Sequence, residues 1–432
     1  MKNRLYLCID LKSFYASVEC VERGLDPMTA HLAVADPERR SGTICLAVSP
    51  ALKALGIRNR CRVYEIPSHI PYVMAPPRMQ LYIEYSADIY SIYLKYIARE
   101  DIHVYSIDEA FLDVTDYLSL YRMTARELAA AIMGDIRNTL GIPAACGAGT
   151  NLYLAKIALD IMAKHMPDQI ASLDEGLYRQ VLWDHRPITD FWRVGPGTAG
   201  RLAPYGIHTM RQTALADERL LYRLLGKDAE YLIDHAWGRE PTTIAQIKAY
   251  QPQSASLSSS QVLMRDYSYE EGLLILKEMV DLLCLELVDK KLVTHSLSLY
   301  VGYSARTVKS VHATVSMTTT TDSVRVITDY YTRLYERQVS RLTPVRRISI
   351  ALMQLEDRSC EQYDLFSDPA RLEKDRRIQT AVLDIRKKFG KNAILRGMDL
   401  QSAATTPERN LQIGGHKSGE GTSFQTGNQV RK

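Results

Sequence analysis

Three acids in two places could carry chemistry: Asp10 in Cys8-Ile-Asp-Leu-Lys-Ser-Phe-Tyr-Ala-Ser-Val-Glu19, and Asp108-Glu109 in Tyr105-Ser-Ile-Asp-Glu-Ala-Phe-Leu-Asp113. Carboxylates at the ends of apolar strands are hard oxygen donors. They can hold a pair of divalent cations against substrate phosphates, the arrangement of two-metal phosphoryl transfer. Each has a plainer reading, Asp10 as a helix cap and the pair as turn residues. The flanks of the pair, Val-Tyr-Ser-Ile and Ala-Phe-Leu-Asp-Val, contain no Gly, Asn or Pro. Both acids are therefore expected in strand-like backbone, where their charge costs stability unless a cation offsets it.

The elements that would position these acids follow from periodicity. Leu5 to Ile9 reads as a buried strand, and Phe14, Val18 and Val21 mark a helix from Lys12 to Glu22. Residues 31–78 read as a small insertion, with strands at His31 to Ala35 and Thr43 to Val48 and a Pro-rich exit. A helix from Met79 to Ala98 leads into a hairpin of His103 to Ile107 and Ala110 to Val114. Helix Thr124 to Thr139, strand Pro143 to Gly149, and a helix through Leu152, Ile157 and Met162 that carries Lys156 and Lys164 complete this part.

Leu177 to Trp237 reads as all helical. Trp192-Arg-Val-Gly-Pro-Gly197 followed by Arg201-Leu-Ala-Pro-Tyr-Gly206 forms a helix-hairpin-helix pattern able to offer backbone N–H groups to a phosphate. Its plain alternative is two helices joined by a Gly-rich turn. Residues 252–354 give strand, helix, strand, strand, helix, strand, the split β-α-β-β-α-β order, with one sheet face rich in hydroxyls and cations. The chain loses strand character beyond Glu356, a basic helix spans Ala370 to Phe389, and composition after Ala403 predicts disorder.

Net charge is only +4 in 432 residues, so any nucleic-acid surface must come from local clustering of Lys and Arg. Seven scattered cysteines without a CxxC pair argue against a disulfide framework and a zinc site, and fit a reducing cytoplasm. No apolar run approaches the ~20 residues that span a bilayer, so no membrane association is expected.

Together these residues resemble the Y-family translesion DNA polymerases, and most closely the UmuC-like branch of Gram-positive bacteria and their mobile elements. The carriers are the Asp10 and Asp108-Glu109 segments, Ala155-Lys-Ile-Ala-Leu-Asp160 and the Val194-Gly195 hairpin, over residues 4–355. The resemblance implies an α+β right-hand polymerase. Its ferredoxin-like palm would be residues 1–30 and 79–175, its small fingers 31–78, its helix-hairpin-helix thumb 176–245 and its β-α-β-β-α-β little finger 252–355. A tail, 356–432, would be partly disordered.

The same resemblance implies a DNA-directed DNA polymerase that adds deoxynucleotides to a primer 3′-hydroxyl with release of pyrophosphate. Asp10 and Asp108 would bind both Mg2+ ions, Glu109 the ion that activates the hydroxyl, and the Leu11 carbonyl the nucleotide-side ion. Tyr15 would be the steric gate against ribonucleotides, with Phe14 beside it. Thr43, Ser49, Lys53 and Lys164 would meet the nascent pair or triphosphate, and Arg193, Val194, Gly195 and Gly197 the DNA backbone. Lys12, the 48–53 segment and Arg193 depart from the family pattern. Small fingers with Gly42 and Thr43, and no segment for proofreading, imply error-prone bypass of damage within an SOS-type mutagenic response.

Implied partners are primer-template DNA, deoxynucleotides and a sliding clamp, with a recombinase filament or UmuD-like subunit as further partners. Gln362, Leu365 and Phe366 form the clamp-binding peptide, its apolar pair serving as anchors. The helix at 370–389 is expected to dock a partner through Leu372, Val382, Ile385 and Phe389. Two other readings compete: a nucleotide cyclase with a similar palm, which would not need the hairpin, and a non-catalytic clamp adaptor, which would not need all three acids.

Overall fold

Tyr6–Leu11 (β1) lies at the centre of a five-stranded sheet, and every residue of it but Asp10 is buried. A strand covered on both faces reads as a near-continuous apolar run, as this one does. The structure, a computed structural model, describes residues 4–39, 42–252, 255–305, 307–360 and 368–419. The chain divides into two units, Met1–Tyr250 with Lys417–Lys432, and Gln251–His416.

In the first unit β1 leads to α1 (Phe14–Val21), then to a small sheet of β2 (Leu32–Val34), β3 (Ala47–Val48) and β4 (Val73–Ala75), with α2 (Pro50–Ala54) after β3. Helix α3 (Met79–Tyr93) precedes β5 (Ile102–Val104) and β6 (Glu109–Asp113). Then come α4 (Tyr117–Tyr121), α5 (Ala125–Leu140), β7 (Ala144–Gly149), α6 (Leu152–Ile157) and β8 (Ile170–Leu173). The main sheet runs β5-β6-β1-β7-β8, with β1 antiparallel to β6 and β7, and β7 parallel to β8.

Two expectations change here. The strand pattern does not continue through the acidic pair: residues 106–108 form a bend, and only Glu109 begins β6. Tyr105 and Ser106 both donate their N–H to the Glu109 carbonyl at 2.9 and 3.0 Å, which closes a short loop without Gly or Pro. Helix α3 ends at Tyr93 rather than at Ala98, the residues beyond it turning toward the next strand.

Helix α6 lies directly on β7. A Cβ added to Gly147 would sit 2.1 Å from the Ala155 carbonyl oxygen, and one on Gly149 2.2 Å from the Ala155 nitrogen. Only glycine permits that approach. After α6 the chain makes a π-helical turn over Ala158–Met162 and a 3-10 turn over Ala163–His165. Residues 175–249 then form α7 (Glu175–Val181), α8 (Pro196–Leu202), α9 (Met210–Ala214), α10 (Glu218–Leu225), α11 (Asp228–Ala236) and α12 (Ile244–Ala249). The apolar faces of α7 to α11 share one core with Tyr153, Leu154 and Ile157 of α6, while Ile244 of α12 packs with Tyr6, Cys8 and Phe111. His235 and Glu240 form a buried pair at 3.0 Å in this region, with the His235 ring stacked 4.0 Å from that of Tyr153.

The second unit contains the expected β-α-β-β-α-β order: β9 (Ser256–Tyr267), α13 (Tyr269–Lys290), β10 (Leu292–Tyr303), β11 (Val311–Thr321), α14 (Val324–Gln338) and β12 (Val345–Asp357). Its antiparallel sheet is ordered β11-β10-β12-β9. Both helices bury Ile275, Met279, Tyr331 and Tyr335 on one face, while Ser256, Ser258, Ser260, His312, Thr314 and Ser316 are exposed.

The C-terminal part departs from expectation. Helix α15 (Pro369–Phe389) packs on its own unit, with Leu372 buried, Arg376 paired to Asp322 and Lys387 to Asp289. Leu372 is therefore not available to a partner, although Phe389 is exposed. Beyond Ala403, where composition predicts disorder, α16 (Thr406–Asn410) is formed. The buried Glu278 carboxylate explains it, accepting from the Thr405 and Thr406 N–H groups at 3.0 and 3.1 Å. A buried carboxylate must be hydrogen-bonded, so it orders the polar residues that supply its donors. The peptide Gln362, Leu365 and Phe366 lies outside the described residues.

Two predictions follow from packing and charge. Gly147→Ala forces its methyl group into the α6 backbone and should cost about 3 kcal/mol or more, read by urea unfolding. Burial would raise the Glu240 carboxyl, but hydrogen bonds from His235 and Thr242 overcome it and lower its pKa from 4.5 to about 2. A lowered carboxylate stabilises the fold fully above its unfolded value, and that stabilisation fades as pH falls through the folded one. Glu240→Gln should therefore cost up to about 3 kcal/mol at pH 7, and the gap from wild type should shrink to roughly half by pH 3.

Candidate active site

The strand register brings the acids together. Asp10 stands opposite Glu109 across the β1–β6 pair, and the Leu11 N–H donates to the Asp108 carbonyl at 2.9 Å. All three carboxylates thus leave one end of the sheet. Ser106 fixes Asp108 through a 2.6 Å hydrogen bond to its carboxylate, and Ser86 holds the loop by donating to the Ile107 carbonyl at 2.7 Å.

Two lysines and a fourth acid complete the cluster. Lys156 donates to Glu109 at 2.7 Å and pairs with Asp160 at 3.0 Å. Lys164 pairs with Asp10, and with Asp160 at 2.9 Å. The Cys8 thiol donates to the other Glu109 oxygen at 3.1 Å. Asp160 therefore bridges two cations, each of which holds one of the sequence-predicted acids. The π-helical turn lies between these lysines, and such turns recur at functional sites.

Burial dominates the electrostatics. It raises the proton affinity of Asp10, opposed by Lys164 and reinforced by the charge of Asp108. It raises Glu109 too, against the pull of Lys156 and the Cys8 thiol. Burial would also lower both lysines, but the surrounding acids more than compensate and hold them above the ordinary value. Among the described residues Lys53 makes no ion pair. Burial of its ammonium lowers its pKa, with Asp10 pulling upward and Lys164 and Lys12 downward, so it belongs to the same field of charge.

Among the described residues no three His, Cys, Asp or Glu side chains converge into a ready-made metal centre. The donor chemistry nevertheless fits a divalent cation. Asp10, Asp108 and Glu109 offer only hard oxygens from one sheet end, and the Asp108 charge lies close enough to raise the proton affinity of Asp10.

Helix α1 carries Tyr15 to this field, where burial and the Asp108 charge both raise its pKa. Its ring stacks on Tyr82 at 4.6 Å, and the Tyr82 hydroxyl donates to the buried Glu19 at 2.7 Å. Arg78 grips that same carboxylate with two bonds of 2.9 Å, so the platform behind Tyr15 is rigid. Two residues expected at the nucleotide have side chains enclosed by the protein. Phe14 is 2% exposed and packs in the core, and Ser49 is fully buried, its hydroxyl accepting from Leu32 and Leu52 as the cap of α2. Thr43 is half-buried and its carbonyl accepts from Val63 at 3.0 Å.

Sequence reasoning noted Lys156 and Asp160 without giving them a role in the site, and missed Ser13 and Ser106. The four-residue spacing of Lys156, Asp160 and Lys164 was the available signal, since it aligns three charges on one helical face. Ser13 gives none: it adopts a left-handed backbone at φ 48°, and its buried hydroxyl has no hydrogen-bond partner. Strain of this kind collects at functional sites. Arg193 is also left-handed, at φ 68°, in the turn before α8. Its guanidinium rests 5.2 Å from the Trp192 ring and 4.8 Å from Tyr231, which helps a non-glycine residue hold that turn. Val194 is buried, while Gly195 and Gly197 are exposed with open space around them.

Two family models match the chain, the impB/mucB/samB family over residues 9–160 and its C-terminal domain over 254–365. Bacillus subtilis (strain 168) UvrX, named for UV-damage repair, is 32% identical over 420 residues, covering 95% of this chain and 97% of its own. DNA polymerase IV 2 of the same organism is 30% identical, covering 96% and 99%. A solved Y-family DNA polymerase chimera, Dbh-Dpo4(243-245)-Dbh, matches in fold with a TM-score of 0.64 at 20% identity, over 82% of this chain and 99% of the chimera.

The charge cluster yields one prediction. Lys156→Met leaves the mostly buried Glu109 without its cation and should cost about 3 kcal/mol in denaturant unfolding. Adding Glu109→Gln removes the stranded charge and should recover most of that loss.

Proposed function

This chain belongs to the impB/mucB/samB family of UmuC-like Y-family DNA polymerases, and we propose that it extends primers across damaged template bases. It is a translesion DNA polymerase, a DNA-directed nucleotidyltransferase whose substrates are primer-template DNA and deoxynucleotides. The observation that carries the reading is the convergence of Asp10, Asp108 and Glu109 at one sheet end inside a chain similar over nearly its full length to DNA polymerase IV 2.

In this reading Asp10, Asp108, Glu109 and the Leu11 carbonyl hold divalent cations of the Mg2+ type. When bound, those ions supply charge stabilisation for phosphoryl transfer and lower the pKa of the primer hydroxyl. The chain's own groups do the rest. Lys164 and Lys53 place positive charge where a triphosphate would lie, and each is close enough to the acids to shift with them. Lys156 and Asp160 set the orientation of Glu109 and Lys164 through direct bonds. Tyr15, backed by Tyr82, is a rigid ring beside the acids and would bar a 2′-hydroxyl by its bulk.

The domains follow the same reading: palm at 1–30 and 79–175, fingers at 31–78, thumb at 176–245, and little finger at 252–355. The 193–197 hairpin would grip the DNA backbone, and the open hydroxyl-rich sheet face of the second unit would lie against it. A sliding clamp would take the Gln362–Phe366 peptide.

Primer extension on undamaged and abasic templates tests the proposal. Wild type with Mg2+ and four deoxynucleotides should extend both. Asp108→Ala should lose about 100-fold or more in rate, with thermal unfolding showing that it is folded. A wild type that binds primer-template yet never extends it, with or without clamp, would favour the non-catalytic adaptor.

A further inference from the structure

The loop that bears Asp108 is tied to the hairpin at 193–197 by one aromatic contact. Trp192, the residue before Arg193, donates its indole N–H to the Tyr105 hydroxyl at 3.1 Å, and the two rings meet edge to face at 5.9 Å. Tyr105 begins the loop whose other members include Ser106 and Asp108, and its N–H is bonded to the Glu109 carbonyl. Its ring also lies 6.0 Å from the Lys156 ammonium that holds Glu109.

Both ends of the contact are braced. Trp192 packs against Phe111 of β6 at 6.2 Å and stacks on His235 at 5.9 Å, and His235 in turn stacks on Tyr153, three residues before Lys156. On its outer side the Trp192 ring carries the Arg193 guanidinium. Tyr105 is nearly half exposed, so burial alone does not explain an aromatic here. A hydroxyl that accepts from an indole and a ring that faces an ammonium use both the polar tip and the π-face of a tyrosine. Neither phenylalanine nor an aliphatic residue offers the pair.

We propose that Tyr105 and Trp192 are positioning residues that couple the seating of the 193–197 hairpin to the Asp108 loop, so that nucleotide addition is fastest when the hairpin holds duplex DNA. The inference rests on the polymerase reading. The contact is a two-ended element: movement of Arg193 on a phosphate shifts Trp192, and Trp192 carries Tyr105 and the loop with it. An energetic coupling of this kind is established by a double-mutant cycle rather than by proximity.

Single-turnover insertion of one deoxynucleotide at saturating primer-template measures it, in wild type, Tyr105→Phe, Trp192→Phe and the double variant. Losing one hydrogen bond that matters only to positioning should slow each single variant between about 2- and about 10-fold, leave the Kd for DNA within about 2-fold, and make the double variant no slower than either single one. Arg193→Gly keeps the left-handed turn and removes the guanidinium. It should slow insertion in wild type but bring no further loss in Tyr105→Phe. Wild-type rates in both Phe variants, multiplying effects in the double variant, or losses that merely track the folded fraction in thermal unfolding would each overturn the coupling while leaving the polymerase reading intact. Absence of extension by wild type would overturn that reading and the coupling with it.

Discussion

Like charges crowded at the end of a buried sheet must be neutralised, and the first unit does this with one helical face. Asp10, Asp108 and Glu109 leave adjacent strand ends. In a partly desolvated site each carboxylate raises the cost of ionising its neighbour. Lys156 and Lys164 answer that cost directly, and Asp160 keeps the two lysines from repelling one another. Everything else about the site depends on this helix standing at the right height above the sheet.

Its height is set by the absence of two side chains. Gly147 and Gly149 let the α6 backbone approach β7 to a separation that a single methyl group would forbid. The π-helical turn then shifts the phase of the helix before Lys164, so that the second lysine reaches Asp10 while the first reaches Glu109. Backbone packing and charge placement are the same problem here. Two glycines on one face of a strand lower its intrinsic stability, and the dense contact of α6 with the sheet offsets that.

Much of the fold was legible because its signals are local. β1 is a continuous apolar run, and the second unit alternates strand and helix periods clearly enough to read its β-α-β-β-α-β order. The acids were legible as residue types at strand ends. Local pattern gave a hairpin with the acids near its bend but kept them in strand-like backbone, because what closes the 106–108 bend is a pair of N–H groups sharing the Glu109 carbonyl rather than Gly or Pro. Adjacent aromatics on a helix differ in which face is covered, and α1 turns Phe14, the candidate for the core role beside Tyr15, into the core. Ser49 reads as a hydroxyl near a lysine, but a cap on a five-residue helix uses that hydroxyl fully. Order beyond Ala403 depends on Glu278, more than a hundred residues earlier in sequence, and composition cannot register such a partner.

The two tightest constraints meet at Lys156. Its chain position is fixed by the glycines beneath α6, its charge by Glu109 and Asp160, and its outer side by the Tyr105 ring. A residue held from three directions has little rotamer freedom left to lose, so the acid it carries is pre-organised before substrate arrives. Tyr15 is treated the same way on the other side of the acids, where Tyr82 is locked by Glu19 and Arg78. Among the described residues the 31–78 segment shows no comparable bracing around Lys53, which makes no ion pair there. The chain thus spends its rigidity on the acids and on the ring beside them rather than on the small β2–β4 sheet. That distribution suits an enzyme that must hold phosphates closely while tolerating bases of altered shape, since chemistry at the phosphate demands fixed geometry and a damaged base demands room.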